Sequence, residues 1–293
     1  SFALWIILGQ AIIGFQQAHS WIGLSLIRLS IVGVLALLMG LFDDRYESRA
    51  RYKFVWQIGL GIIMYMINYR VNYITNPLGE HFILGWLSFP ATVLWYVMVI
   101  NAINLIDGMD GLACGITIIV SAILLTVGLL EHNYLVITLS GLLLAGNLAF
   151  IFHNFYPAKI FMGDTGALFI GLNLAAISTA STSQYKGITS MTLMIPLSVM
   201  AIPLLDVLFA IFRRIKGGNI FKADRAHIHH TMLGFGLSQK TISIIVYIAT
   251  LLFGLIAIGF SLSSKKILFS VLLGLMILMV VVAYILMRQE QKK

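Results

Sequence analysis

Charge is scarce in this chain: Asp, Glu, Lys and Arg make up only 10% of its 293 residues, against roughly 25% in a soluble domain. That shortage excludes an ordinary cytosolic globule. With 5 prolines beside 26 glycines and a mean hydropathy of +0.97, disordered, collagen-like and repeat-solenoid chains are excluded too, because these need polar, Gly-Pro or self-similar sequence. The single cysteine, Cys114, rules out an internal disulfide framework and any multi-cysteine metal site. It lies in an apolar run, where a small buried thiol is expected, so the redox compartment is not legible. Ser1 leads directly into an apolar run with no positively charged region before it. This is the pattern of an amino-terminally incomplete chain and not of a signal peptide.

What the chain has in abundance is apolar length. Hydrophobic residues make up 60% of it, and a bilayer core of about 30 Å needs about 20 of them in a helix. Ten candidate spans result: Phe2 to Phe15, Ile22 to Phe42, Phe54 to Asn68, Gly85 to Leu105, Leu112 to Leu130, Tyr134 to Phe152, Ala167 to Thr182, Met191 to Phe212, Ile242 to Leu262 and Ile267 to Met287. The expected fold is an all-α, polytopic transmembrane helical bundle forming one domain over residues 1–293, since no separate soluble domain interrupts the spans. A net charge of +8 would raise the question of nucleic acid in a soluble protein; here it reflects topology, and no nucleic-acid partner is expected. Alternating spans place fourteen of the nineteen Lys and Arg on one side and four on the other, with Arg28 inside a span. The basic side should face the cytoplasm.

Most of the acids gather on that same side, which the positive-inside rule does not require. Ionisable groups at membrane margins are therefore functional candidates. Asp43 and Asp44 close the second span ahead of Arg45, Arg49, Arg51 and Lys53. Adjacent helical side chains point about 100° apart, so one carboxylate can hold a cation or act as a base while the other pairs with a basic residue; a solvated charged loop is the plainer alternative. Next, Asn101, Asn104, Asp107 and Asp110 recur every third residue and close the otherwise apolar fourth span. Asn104 and Asp107 then share a helix face as two oxygen ligands, while Gly108 and Gly111 allow close approach of backbone or ligand. Oxygen-only donors on a weakly rigid turn suit Mg²⁺; simple capping and turning would use the same residues.

Further on, Asp164 lies between Gly163 and Gly166 at the start of an apolar helix, where free amides and the helix dipole would attract phosphate. The alternative is that Asp164 or Thr165 merely caps the span. A long basic loop carries Arg225, His227, His229 and His230. Their spacing lacks the His-x-x-x-His geometry of helical zinc pairs, and they read as donors to phosphate or a polar head group. Asp206, within the eighth span, could pair with a cytoplasmic arginine, and Arg28 could snorkel or pair inside the bundle.

Together these motifs resemble a known family, the polyprenyl-phosphate N-acetylhexosamine-1-phosphate transferases of the glycosyltransferase family 4 type, which also include phospho-MurNAc-pentapeptide translocase. The resemblance rests on Gly40-Leu-Phe-Asp43-Asp44, on Asn101 through Ala113, on Pro157 through Gly166 with Lys159 inside it, and on His227-Ile-His229-His230. It implies Asp164 as the central Mg²⁺ ligand (Mn²⁺ being the alternative ion) with Asn104 as a second ligand. It places Asp43 and Asp44 on the lipid phosphate or the metal, and Asp107 and Asp110 in the nucleotide-sugar pocket. Lys53, Lys159, Arg225 and the three histidines would then contact phosphates or sugar. The substrates implied are a UDP-N-acetylhexosamine and polyprenyl phosphate, and the setting a bacterial cytoplasmic (inner) membrane with the active site on its cytoplasmic face. A homodimer is compatible with this reading. The family usually carries one more amino-terminal span, so this chain is expected to lack one. Ile228 interrupts the histidines, which favours a UDP-N-acetylglucosamine donor over UDP-MurNAc-pentapeptide. A secondary transporter would also show ten spans, but would set its polar groups near the midplane in related repeats. No such repeat is present.

Overall fold

The computed structural model describes residues 2–17, 20–74, 82–180, 200, 204, 237–262, 270, 271, 273–275 and 277. Most of the predicted eighth and tenth spans, and Asp206, Arg225, His227, His229 and His230, lie outside the described residues. The described chain forms helices α1 (Phe2–Gln16), α2 (Trp21–Tyr46), α3 (Ala50–Met66), α4 (Ser88–Ile106), α5 (Leu112–Leu130), α6 (Tyr134–Asn154), α7 (Gly163–Ala180) and α8 (Gln239–Leu262). Five candidate membrane spans, within or containing α2, α4, α5, α6 and α8, are long and apolar enough to cross a bilayer. The bundle is helical as expected, with one correction. Tyr73–Ile74 (β1) pairs antiparallel with Phe82–Ile83 (β2), in the register Tyr73 to Ile83 and Ile74 to Phe82. Two-residue strands leave no period-two signal, which is why hydropathy reads this stretch as loop.

Local chemistry fixes the helix ends. Ser20 caps α2 by accepting from the Gly23 amide at 3.1 Å, and Asn133 caps α6 by accepting from Val136 at 3.2 Å, each satisfying an amide that the first turn leaves free. At the far end of α2 the helix runs past the expected Phe42 to Tyr46, so both acids fall in its last turns.

α7 is the centre of the bundle: every residue from Gly166 to Ala180 is buried, the signature of a helix surrounded on all sides. It packs against α2 and α4, with α5 on α6 and α8, and α1 on α2. Apolar side chains gain little by leaving lipid, so such contacts depend on close backbone approach and interhelical hydrogen bonds. Both are present. A methyl group on Gly171 would stand 2.7 Å from Ile100 Cα, and one on Gly40 would stand 2.4 Å from Thr165 Cα. Gln10 Nε2 donates to Asn173 Oδ1 at 3.0 Å, and Trp95 Nε1 to Ser178 Oγ at 2.7 Å. This packing brings the last turns of α2 and α4 against the first turns of α3 and α7.

Candidate active site

Four of the predicted residues meet around one ammonium. Lys53, one turn into α3, places Nζ 2.5 Å from Asp43 Oδ2 and 2.7 Å from Asp164 Oδ2. Asn104 Nδ2 donates to the other oxygen of Asp164. Asp43 is 1% exposed; its Oδ1 accepts from the Ser48 amide at 2.9 Å. Its Oδ2 is buried with no hydrogen-bond partner besides the ion-paired ammonium.

Charge follows from this geometry. Burial works against the Lys53 ammonium, but its contacts with Asp164 and Asp43 outweigh it and hold the group above an ordinary lysine. Burial likewise opposes ionisation of Asp164, yet the contacts from Asp43, Lys53 and Asn104 prevail and hold it below the usual carboxylate range. One cation thus sits where two carboxylates converge, and an amide completes the cluster.

Asp44 has a different task. Its Oδ1 accepts from the Asp164 amide at 2.8 Å, its Oδ2 from the Thr165 amide at 3.1 Å, and the Thr165 hydroxyl also donates to Oδ2. The carboxylate is therefore the N-terminal cap of α7, supplied by another helix. This corrects two expectations. The Asp164 and Thr165 amides are committed to Asp44 and not open to phosphate, and the cap is neither Asp164 nor Thr165 itself. Gly163 is required at this point, because it has φ of +66° and a methyl group on it would stand 2.9 Å from Asp44 Oδ2.

Asp107 caps the C-terminal end of α4. Burial first, then the charges of Asp164 and Asp44, pushes its carboxyl up to about 8. With Asp110, Asn154, Phe161 and Gly163 it lines a cavity of about 220 Å³ beside the cluster. Asp110 also ties the loops together, its Oδ2 accepting from the Ala158 amide at 2.9 Å. Lys159 is exposed and, among the described residues, forms no ion pair; its backbone amide donates to His153 O at 2.8 Å. It does not join the cluster.

Two contributors escape the sequence reading. Gln57 exchanges amide hydrogen bonds with Asn101, joining α3 to α4 one turn away from both Lys53 and Asn104. Gly40 lets α2 approach the α7 backbone so that Asp43, Asp44 and Asp164 can meet. Gly40 stands in a quoted motif, whereas nothing marks Gln57 except its helical offset of four from Lys53.

The chain is similar in sequence to known proteins. The pattern described as glycosyl transferase family 4 matches residues 26–182. The chain is 38% identical over 232 residues to the probable undecaprenyl-phosphate N-acetylglucosaminyl 1-phosphate transferase of Bacillus subtilis, covering 78% of this chain and 64% of that protein. It is 33% identical over 253 residues to the decaprenyl-phosphate N-acetylglucosaminephosphotransferase of Mycobacterium tuberculosis H37Rv, covering 78% and 61%. It is 35% identical over 219 residues to the phospho-N-acetylmuramoyl-pentapeptide-transferase of Streptococcus equi subsp. equi, covering 72% and 63%. Each match thus spans less than two thirds of the relative's own length. The family pattern extends over the Asp43–Asp44 pair, Lys53, the Asn104–Asp107 turn and Asp164, and covers more than half of the sequence: the chain belongs to glycosyl transferase family 4.

Proposed function

We propose that this chain transfers an N-acetylhexosamine 1-phosphate, foremost GlcNAc-1-phosphate, from a UDP-sugar to polyprenyl phosphate and releases UMP. The observation that carries this reading is the Lys53 ammonium held between Asp43 and Asp164 at 2.5 and 2.7 Å, at one end of an apolar bundle. A cation and two carboxylates at a membrane margin suit a reaction in which one phosphate donor is polar and the acceptor is a lipid.

The donor set fits Mg²⁺. Asp43 Oδ2 is a buried oxygen whose partner is the Lys53 ammonium, Asp164 brings both oxygens to the cluster, and Asn104 adds an amide. Asp43 and Asp164 supply two carboxylates, enough for an ion that shares its coordination with waters and substrate phosphates. Mn²⁺ would take the same donors. Such an ion, when bound, neutralises the pyrophosphate and the leaving phosphate.

The chain's own groups do the rest. Lys53, kept charged by its partners, can transfer its hydrogen bonds from carboxylate to phosphate oxygens. Asp44 holds the first turn of α7, and with it Asp164, in place. Asp107, protonated up to about pH 8, offers an O–H to an anionic substrate where an ionised carboxylate would repel it. A lipid-phosphate oxygen then bonds to the sugar-linked phosphorus as the bond to UMP breaks. The attacking oxygen is already anionic, so position and charge matter more than a general base.

Exchange of labelled UMP into UDP-N-acetylglucosamine, with polyprenyl phosphate and Mg²⁺, tests this reading. Exchange into UDP-MurNAc-pentapeptide alone would move the chain to the other donor, as the name of the streptococcal relative would have it, and exchange into neither would reject the transferase. The proposed setting is a ten-span protein of a bacterial cytoplasmic membrane with the cluster facing the cytoplasm, supported by the fourteen-to-four Lys and Arg asymmetry. In a Cys114→Ala background, Tyr134→Cys should react with an impermeant thiol reagent in intact cells and Tyr156→Cys should not; the reverse labelling would invert the topology.

A further inference from the structure

The opposite end of α2 holds a second polar feature that the transfer reaction does not use. A cavity of about 400 Å³ opens between α2, the segment after α3 and the start of α6, lined among others by Trp21, Ser25, Arg28, Tyr69, Arg70 and Asn72. Trp21 and Asp43 are 22 residues apart on one helix, about 33 Å at 1.5 Å per residue, so the cavity lies a bilayer's hydrocarbon thickness from the cluster. Arg28 sits seven residues inside this apolar helix, exposed to the cavity. Among the described residues it forms no ion pair, and no carboxylate lines the cavity. A cation at such a depth is costly and defaults to a functional reading.

The surrounding frame is fixed. Buried Tyr69 donates its hydroxyl to Ser25 O at 3.2 Å, and its amide donates to Met64 O at 3.0 Å. The next amide, of Val71, donates to Thr92 Oγ1 at 2.9 Å. Arg70 Nε donates to Tyr65 O at 2.7 Å while its guanidinium lies 4.2 Å from the centre of the Tyr65 ring. An arginine that only snorkels to the interface needs neither a polar-lined cavity nor a hydrogen-bonded loop around it. Trp21, 42% exposed, stands at the level where tryptophan marks the head-group boundary.

We infer that this cavity is a binding site for the phosphate of an anionic lipid in the leaflet opposite the active site, with Arg28 as its principal contact. Guanidinium groups match phosphate oxygens in geometry and charge, and basic pockets between membrane helices take anionic head groups. The lipid phosphate could be a diester or a monoester; free phosphate shares the chemistry.

The test is native mass spectrometry of the full chain in detergent, titrated with phosphatidylglycerol, phosphatidylcholine or inorganic phosphate, for wild type, Arg28→Gln and Arg28→Lys. Wild type should retain phosphatidylglycerol in preference to phosphatidylcholine. Arg28→Gln should bind it about tenfold or more weakly, as expected on losing a charge-assisted hydrogen bond, with Arg28→Lys in between. Thermal unfolding of each variant in the same detergent checks folding, and Arg70→Gln provides a second weakening variant at the same cavity. Inorganic phosphate that binds with the same Arg28 dependence, while phosphatidylglycerol does not, would transfer the site from lipid to a free anion and overturn the lipid assignment. Equal retention of both lipids, or phosphatidylglycerol binding unchanged in Arg28→Gln, would overturn the site itself.

Discussion

The two ends of α2 handle charge in opposite ways. At the Asp43 end, acids outnumber the cation they surround: Asp43 and Asp164 share Lys53, while Asp44 is neutralised by backbone amides and a hydroxyl. At the Trp21 end, two arginines line a cavity with no acid among its lining residues. The difference teaches how one apolar helix keeps two charge environments apart. The acidic end is internally compensated, so each of its charges can be exchanged for one on a substrate or metal. Arg28 forms no ion pair among the described residues, so a ligand from outside can offset its charge.

The strongest way to break this comparison is Asp164→Asn. It keeps the size of the side chain but removes the charge that Lys53 and a metal would share. Loss of a ligand charge is worth several kcal/mol in the transition state, so UMP exchange should fall by about 10³-fold or more, while thermal unfolding stays close to wild type because Lys53 keeps Asp43. Turnover near the wild-type rate at limiting Mg²⁺ would remove Asp164 from the site.

Gly40→Ala attacks the acidic end through packing. The added methyl group would meet Thr165 Cα at 2.4 Å and Thr165 N at 2.7 Å, and backbone cannot swing aside as a flexible side chain does. Overpacking of this kind costs about 1–3 kcal/mol. The variant should unfold earlier and lose exchange activity, with lipid retention at the Trp21 end unaffected. Full activity in this variant would show that α2 and α7 need not meet so closely.

Asp44→Asn separates a clamp from a ligand. The amide keeps one acceptor oxygen for two backbone donors and a hydroxyl, a loss of about 1–3 kcal/mol in an incompletely satisfied site. Exchange should fall while the Mg²⁺ concentration for half-maximal rate remains near that of wild type. A large shift in that concentration would place Asp44 on the metal instead.

The smallest effect is one of slope. Asp107 ionises at about 8 in the folded chain, against about 3.9 for an unperturbed aspartate. The folded state therefore holds this proton more tightly, so between pH 4 and 8 the group makes the fold progressively less stable as pH rises, and above 8 the full cost remains. Thermal unfolding with a chelator present, across this window, should decline less steeply for Asp107→Asn than for wild type. Identical slopes would mean that Asp107 is not held protonated.

The membrane pattern and the candidate acids were legible because they are local properties. A run of apolar residues needs no partner to be recognised, and eight of the ten expected spans coincide with a described helix to within a few residues at most ends. The limits of that reading are equally physical. The start of α7 was expected to hold phosphate because an isolated helix start has free amides; the sequence could not show that Asp44, 120 residues earlier, already accepts from the Asp164 amide. Nor could it show that Lys159 lies apart from the Lys53 cluster, on the exposed side of its loop.

From the sequence alone came the helical membrane bundle, the charge asymmetry across it and the residue types that could carry phosphate chemistry, because hydropathy and composition act residue by residue along the chain. Only the tertiary structure decided which of those residues meet. Lys53 and Asp164 are 111 residues apart in sequence, and Asn104 and Asp164 are 60 apart. Their convergence depends on Gly40 admitting α7 and on Gln57 linking α3 to α4. Nor could the position of Arg28 in an apolar run reveal the cavity it faces, since that space is bordered by α2, the turn after α3 and the first residues of α6, which only packing brings side by side.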